Sequence, residues 1–164
     1  VLRERKQWDR PVPVLAKLGP PPAEAPIDEE VGALVDAALE LEIDGFVASN
    51  TASDRSGLRT GEKRLREIGA GGLSGRPLAD RADRLVRFLY RRTDGSVPVV
   101  GVGGIDSPEE AYRRVRAGAS LLQLYTGLVY EGPSLIPTIK RGLVERLTAD
   151  GFTSIEEAVG VDAA

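Results

Sequence analysis

The chain contains no cysteine, no histidine and no methionine, and aromatic residues make up only 5% of it. Without cysteine there is no disulfide, thiolate nucleophile or cysteine metal site. Without histidine there is no imidazole base, and the usual zinc sites are excluded. A surplus of basic charge is also missing. The 22 Lys and Arg residues face 25 Asp and Glu residues, for a net charge of −3 and an isoelectric point near 5.2. That balance argues against a nucleic-acid partner, whose recognition needs a basic footprint. The arginines alternate with acidic residues along the chain and read as a solvated surface. No apolar run approaches the roughly 20 residues that span a bilayer, and the amino terminus lacks a signal-peptide pattern. The expected location is the cytoplasm. Val1 to Lys6 reads as the tail of a helix with no initiator methionine, so the chain is expected to begin in mid-structure. The single tryptophan, Trp8, reads as a packing residue.

What is present is a repeated alternation of strand and helix. Strands are predicted at Pro13–Leu18, Gly45–Ser49, Val97–Val102 and Ser120–Tyr125. Between them, Val31, Leu34, Val35 and Ala38, and then Ala82, Leu85, Val86 and Leu89, recur at helical spacing. Asp28 and Glu29 enrich the first turn of the earlier helix. Ser107-Pro108-Glu109-Glu110 is a capping box opening a third helix, which Gly118 closes. Ile136, Ile139, Leu143 and Leu147 form the stripe of a fourth, and Ser154 is expected to cap a short terminal helix. The 52–75 stretch reads as one long polar loop. Near-continuous apolar strands indicate a parallel sheet covered on both faces. Two architectures fit, an open doubly wound sheet or four βα units of a (β/α)₈ barrel, and both place ligands at the carboxyl ends of the strands.

Polar residues gather at those ends: Lys17, Ser49, Asn50, Thr51, Gly104, Tyr125 and Thr126. Lys17 reads as a lysine snorkelling to solvent, a cation aimed at an anionic ligand, or a Schiff-base former. Ser49-Asn50-Thr51 serves either as a turn or as a set of hydroxyl and amide groups that orients a planar polar ligand. Gly101-Val102-Gly103-Gly104 lacks the third glycine of the dinucleotide fingerprint. Followed one strand later by Tyr125-Thr126-Gly127, it reads as a phosphate site. The pairs Glu109-Glu110 and Glu156-Glu157 fall in first helical turns, where dipole compensation accounts for them. Aldolase-like or isomerase chemistry on Lys17, and a non-catalytic doubly wound phosphate-binding module, are two functions these residues allow.

VLAKLGP, DGFVASNTASDR, GGLSGRPL, VPVVGVGGIDS, AGASLLQLYTGLVYEGP and DGFTSIEEAVG occur in this order over nearly the whole chain. Together they resemble the carboxyl-terminal half of the dihydroorotate dehydrogenases, most closely the quinone-dependent class. The resemblance implies that residues 1–164 form half of a single FMN-binding (β/α)₈ barrel that oxidises dihydroorotate to orotate in pyrimidine biosynthesis and reduces a quinone. It implies that Lys17 lies by the flavin ring and favours its reduced, anionic form. Ser49 matches a flavin-contacting position more often held by Thr. Asn50 and Thr51 match the pair that binds orotate. Gly75 and Gly104 match backbone contacts to FMN, and Tyr125 and Thr126 supply main-chain amides to its phosphate. Two positions depart from the family pattern: Leu18-Gly19-Pro20-Pro21-Pro22 has no acidic residue after the lysine, and Ala52 replaces a Thr. The catalytic base, a Ser in this class, is expected in an amino-terminal half that the chain lacks, along with the helices that carry membrane contact. The parent is accordingly expected at the cytoplasmic side of the inner membrane, and the isolated half is expected to be inactive.

Overall fold

The computed structural model describes residues 2–5, 7, 9–10, 12–27, 29–55 and 58–163. The expectations for Val1, Lys6, Trp8 and Asp28 fall outside them. A short helix α1 (Leu2–Arg5) is followed by β1 (Leu15–Leu18), α2 (Glu29–Glu40), β2 (Gly45–Ala48) and α3 (Glu62–Ile68). Then come α4 (Ala79–Thr93), β3 (Val99–Val102), α5 (Pro108–Arg116), β4 (Leu121–Gln123), α6 (Thr126–Glu131) and α7 (Leu135–Ala149). The four strands form one parallel sheet in the order β1-β2-β3-β4. Each strand thus lies beside the next in sequence, with a helical crossover between them.

The alternation of each strand sends one set of side chains into a core. Phe46, Val99, Val35, Leu85, Val86 and Leu89 are all 0% exposed. Burying each such side chain is worth roughly 1.5–3 kcal/mol. All four residues of the α4 stripe, Ala82, Leu85, Val86 and Leu89, are fully buried, as their spacing predicts. The other face of the sheet is different. There Leu15, Lys17, Leu121 and Gln123 are exposed, so among the described residues the sheet is covered on one face only. This corrects the expectation of two covered faces: consecutive βα units wound in one sense put every helix on the same side, as in a barrel wall.

Other expectations shift for identifiable reasons. The 52–75 loop contains α3, whose residues favour helix but bury nothing; its missing apolar stripe conceals it from a periodicity reading. α6 directly follows β4 and is too short to show a period. In α7 the predicted stripe holds at Ile139, Leu143 and Leu147, but its first member, Ile136, is 46% exposed and Leu135 packs inward in its place. In α2, Leu34 is 57% exposed and Val35 carries the packing. The terminal segment is a single 3₁₀ turn, Glu156–Ala158, with no side-chain cap from Ser154. Instead the Glu157 carboxylate accepts from the Thr153 backbone N–H at 2.7 Å and its hydroxyl at 2.9 Å. The arginines are not uniformly solvated either: Arg81 is 6% exposed and Arg114 is 0% exposed. The Ser107 half of the capping box forms, with the Glu110 amide donating to Ser107 Oγ at 3.2 Å, while the Glu110 carboxylate accepts from Arg113 at 2.7 Å instead of reaching back.

The carboxyl-terminal segment is fastened by Arg116. It donates to both carboxylate oxygens of Asp162 at 2.7 Å and to Asp150 at 2.7 Å. The Arg116 bonds hold the Asp162 carboxyl below its ordinary pKa, and the Thr153 amide does the same for Glu157. A carboxylate with a lowered folded-state pKa stabilises the fold above its unfolded pKa, and that stability is lost as pH falls through the folded value. The unfolding midpoint is therefore expected to hold steady above about pH 5 and to fall below about pH 4. Asp162→Asn should flatten that acid limb in thermal scans followed by circular dichroism. A midpoint unchanged down to about pH 3 would contradict this.

Candidate functional site

The carboxyl ends of the four strands open into one cleft of about 270 Å³. Leu18 points into the core, so its neighbour Lys17 points the other way and stands exposed in the cleft. After β2 the main-chain ladder continues past the strand. The Ser49 amide donates to the Val102 carbonyl at 2.9 Å and the Asn50 amide to the Leu18 carbonyl at 2.8 Å. These bonds fix Ser49 and Asn50 between the neighbouring strands. The peptide between Ala48 and Ser49 is cis.

Ser49, 3% exposed, donates its hydroxyl proton to the Asn50 carbonyl at 3.0 Å. It therefore meets a ligand only as an acceptor. Asn50 Oδ1 accepts from the Thr51 amide at 2.9 Å. That leaves the Asn50 amide NH₂ as the group free to donate outward.

The loop that follows folds back through a two-residue bridge, with Ala52 and Leu73 exchanging backbone hydrogen bonds at 3.0 and 2.8 Å. This return brings Ser74 and Gly75 to the same cleft. Ser74 Oγ accepts from Thr126 Oγ1 at 3.0 Å. A Cβ on Gly75 would stand 2.9 Å from Thr126 Cγ2. On β3 the chain turns through Gly103 and Gly104, both with positive φ, and a Cβ on Gly104 would stand 2.6 Å from Ala79 Cα. Both close approaches require glycine.

All eight residues singled out from the sequence line this one cleft: Lys17, Ser49, Asn50, Thr51, Gly75, Gly104, Tyr125 and Thr126. Ser74, Gly103 and Gln123 line it too. Ser74 and Gly103 lie within motifs already noted. Gln123 was signalled only by being polar in an otherwise apolar strand. Among the described residues, the amides of Gly75, Gly104, Tyr125 and Thr126 donate to no protein acceptor. Lys17 is the one charged side chain among those lining the cleft. At the rim, Arg76 pairs with Asp106 at 2.8 Å. The cleft thus offers a cation on one flank, free main-chain donors on the other, and hydroxyl and amide groups between. That is a site for an elongated, polar, anionic ligand.

Residues 1–147 match the family model described as Dihydroorotate dehydrogenase. The chain belongs to this family. The dihydroorotate dehydrogenase (quinone) of Nocardia farcinica is 50% identical over 162 residues, which cover 99% of this chain and 43% of that protein. Its counterpart in Synechocystis sp. is 42% identical over 167 residues, covering 98% and 42% respectively. The crystal structure of the Eimeria tenella dehydrogenase in complex with ferulenol superposes with a TM-score of 0.82 at 34% identity, covering 95% of this chain and 40% of that one. The architecture is therefore that of the (β/α)₈ barrel, of which this chain presents four parallel units. The chain spans about two fifths of the length of the curated relatives it matches. Among the described residues, no helix is long and apolar enough to cross a membrane.

Proposed function

We propose that residues 1–164 form the carboxyl-terminal half of an FMN-dependent dihydroorotate dehydrogenase barrel that oxidises dihydroorotate to orotate and reduces a quinone. The observation that carries this reading is the convergence of eight motif residues on one cleft with unpaired amides at one end and a single cation at the other. The donor set fits FMN. The free amides of Gly104, Tyr125 and Thr126 suit its phosphate, where glycine backbone and the start of α6 approach closely. Gly75 closes that end through its contact with Thr126.

When bound, FMN supplies the hydride acceptor and the route for electrons to the quinone. Lys17 places its ammonium where negative charge collects and stabilises it. Ser49 accepts a hydrogen bond from the ligand, because its own proton is engaged with the Asn50 carbonyl. The Asn50 amide and the Thr51 hydroxyl orient the substrate ring and carboxylate, and this holds the reacting carbon in place. The base that takes the C5 proton belongs to the part of the relatives' length that this chain does not span, as does any membrane contact of the whole protein.

In the full-length protein, we expect one FMN per chain and quinone-dependent formation of orotate. Lys17→Met should lower kcat by roughly 10²-fold, as for loss of one preorganised electrostatic group. A purified protein that is colourless and takes up no flavin would overturn the assignment. A substrate adduct trapped on Lys17 by borohydride would replace it with carbonyl chemistry.

A further inference from the structure

The loops that follow β1 and β2 share one buried anchor outside the cleft. The first begins Gly19-Pro20-Pro21-Pro22. Three successive prolines offer carbonyls but no N–H donors, so this segment can be held only by a donor brought to it. Arg81 on α4 brings one, donating its Nε–H to the Pro21 carbonyl at 2.6 Å. Its two amino nitrogens reach the Asp54 carboxylate, Nη1 to Oδ1 at 3.2 Å and Nη2 to Oδ2 at 2.8 Å. One turn further along, Arg84 holds the Pro22 and Ala23 carbonyls, each at 2.9 Å. Pro21 lies just beyond Lys17 in sequence, and Asp54 just beyond Thr51. Arg81 itself does not line the cleft.

We propose that Arg81 is a positioning residue for substrate: a single guanidinium fork fixes the loop that begins at Asn50 and Thr51 against the loop that leaves Lys17. The proposal rests on the assignment of those residues given above. All three nitrogens of the fork are committed, one to one loop and two to the other. A lysine has a single nitrogen and cannot span both. The charges are asymmetric. The Arg81 side chain is 7% exposed, whereas that of Asp54 is 45% exposed. Removing Asp54 strands a buried cation, but removing Arg81 leaves a carboxylate that water can solvate. Arg81→Met keeps the length of the stem and most of its packing, so it is the variant that isolates position from stability. Among the described residues, the hydrogen bonds of Arg81 go to Pro21 and Asp54 and none goes to the phosphate end of the cleft on β3, β4 and α6.

The test uses the full-length, flavin-loaded protein and compares FMN content, thermal midpoint, kcat and KM for dihydroorotate. For Arg81→Met we expect FMN content unchanged and KM raised about tenfold, since displacements near 1 Å at a reacting centre cost up to about 10²-fold. Arg81→Lys should behave like Arg81→Met rather than restore the parent KM. A KM within about twofold of the parent in a competent enzyme overturns the proposal alone. Parallel losses of flavin, midpoint and kcat also overturn it, because they mark a merely structural role. An unmodified protein without flavin or turnover overturns the functional assignment, and the proposal with it.

Discussion

Replacing Asp83 by Asn is expected to lower the unfolding midpoint by roughly 10 °C, because it strands the Arg114 guanidinium. Arg114 is 0% exposed and pairs through Nε with Asp83 Oδ1. Its Nη2 donates to the carbonyls of Ala79 at 3.1 Å and Gly103 at 2.9 Å, while Nη1 has no hydrogen-bond partner among the described residues. Burial pulls this guanidinium below its ordinary pKa, and Asp83 opposes that pull. With the carboxylate gone, the cation loses its countercharge in a dry site and keeps at most a neutral amide oxygen as acceptor. Breaking a buried pair in this way costs about 3–5 kcal/mol, at about 2–4 °C per kcal/mol for a chain of this size. Arg113, which also contacts Asp83, is 38% exposed and can turn to water. Removing both partners, as Asp83→Leu with Arg114→Met, should recover much of the loss. The measurement is thermal unfolding by circular dichroism, and a single variant melting within about 2 °C of the parent would refute the account.

Gly104→Val is expected to weaken FMN binding at least about a hundredfold, which corresponds to roughly 3 kcal/mol. Gly104 has φ +73, and an added Cβ would lie 2.6 Å from the Cα and Cβ of Ala79 at the start of α4. A β-branched residue resists that conformation and cannot fit the space. The turn must therefore move away from α4, and it takes with it the amide assigned to the phosphate. Equilibrium titration of the stripped full-length protein with FMN measures the loss. A variant with parental affinity would remove Gly104 from the phosphate site. Thermal scans of the stripped variant separate this effect from unfolding.

The parts of the fold legible in the sequence were those with a strong local cause. The four strands follow from runs such as Val97–Val102, and α5 follows from the capping box at Ser107, whose bond to Glu110 forms. Seven of the cleft residues are marked by their place at the carboxyl ends of apolar strands, where a turn is the other use of such residues, whereas Gly75 follows a loop and is named only through the family resemblance. The strands are shorter than their apolar runs, since Pro13 lies outside β1 and Tyr125 outside β4, although Ser120 still donates to the Val99 carbonyl at 2.9 Å. α3 escaped because an exposed helix carries no stripe. The alternation of arginine with acidic residues gives Arg81 and Arg114 the pattern of surface charge. Nothing local distinguishes them from Arg91, because their partners, Asp54 in a loop and Asp83 on another helix, are distant in sequence. Long-range pairing of charge has no period to detect.

Lys17 is one of only four lysines in a chain that otherwise relies on arginine for positive charge. The residue is exposed and lines the cleft. A mild acylating reagent would therefore find few competing targets on this chain, and the rate at which position 17 is tagged becomes a gauge of whether anything occupies the cleft.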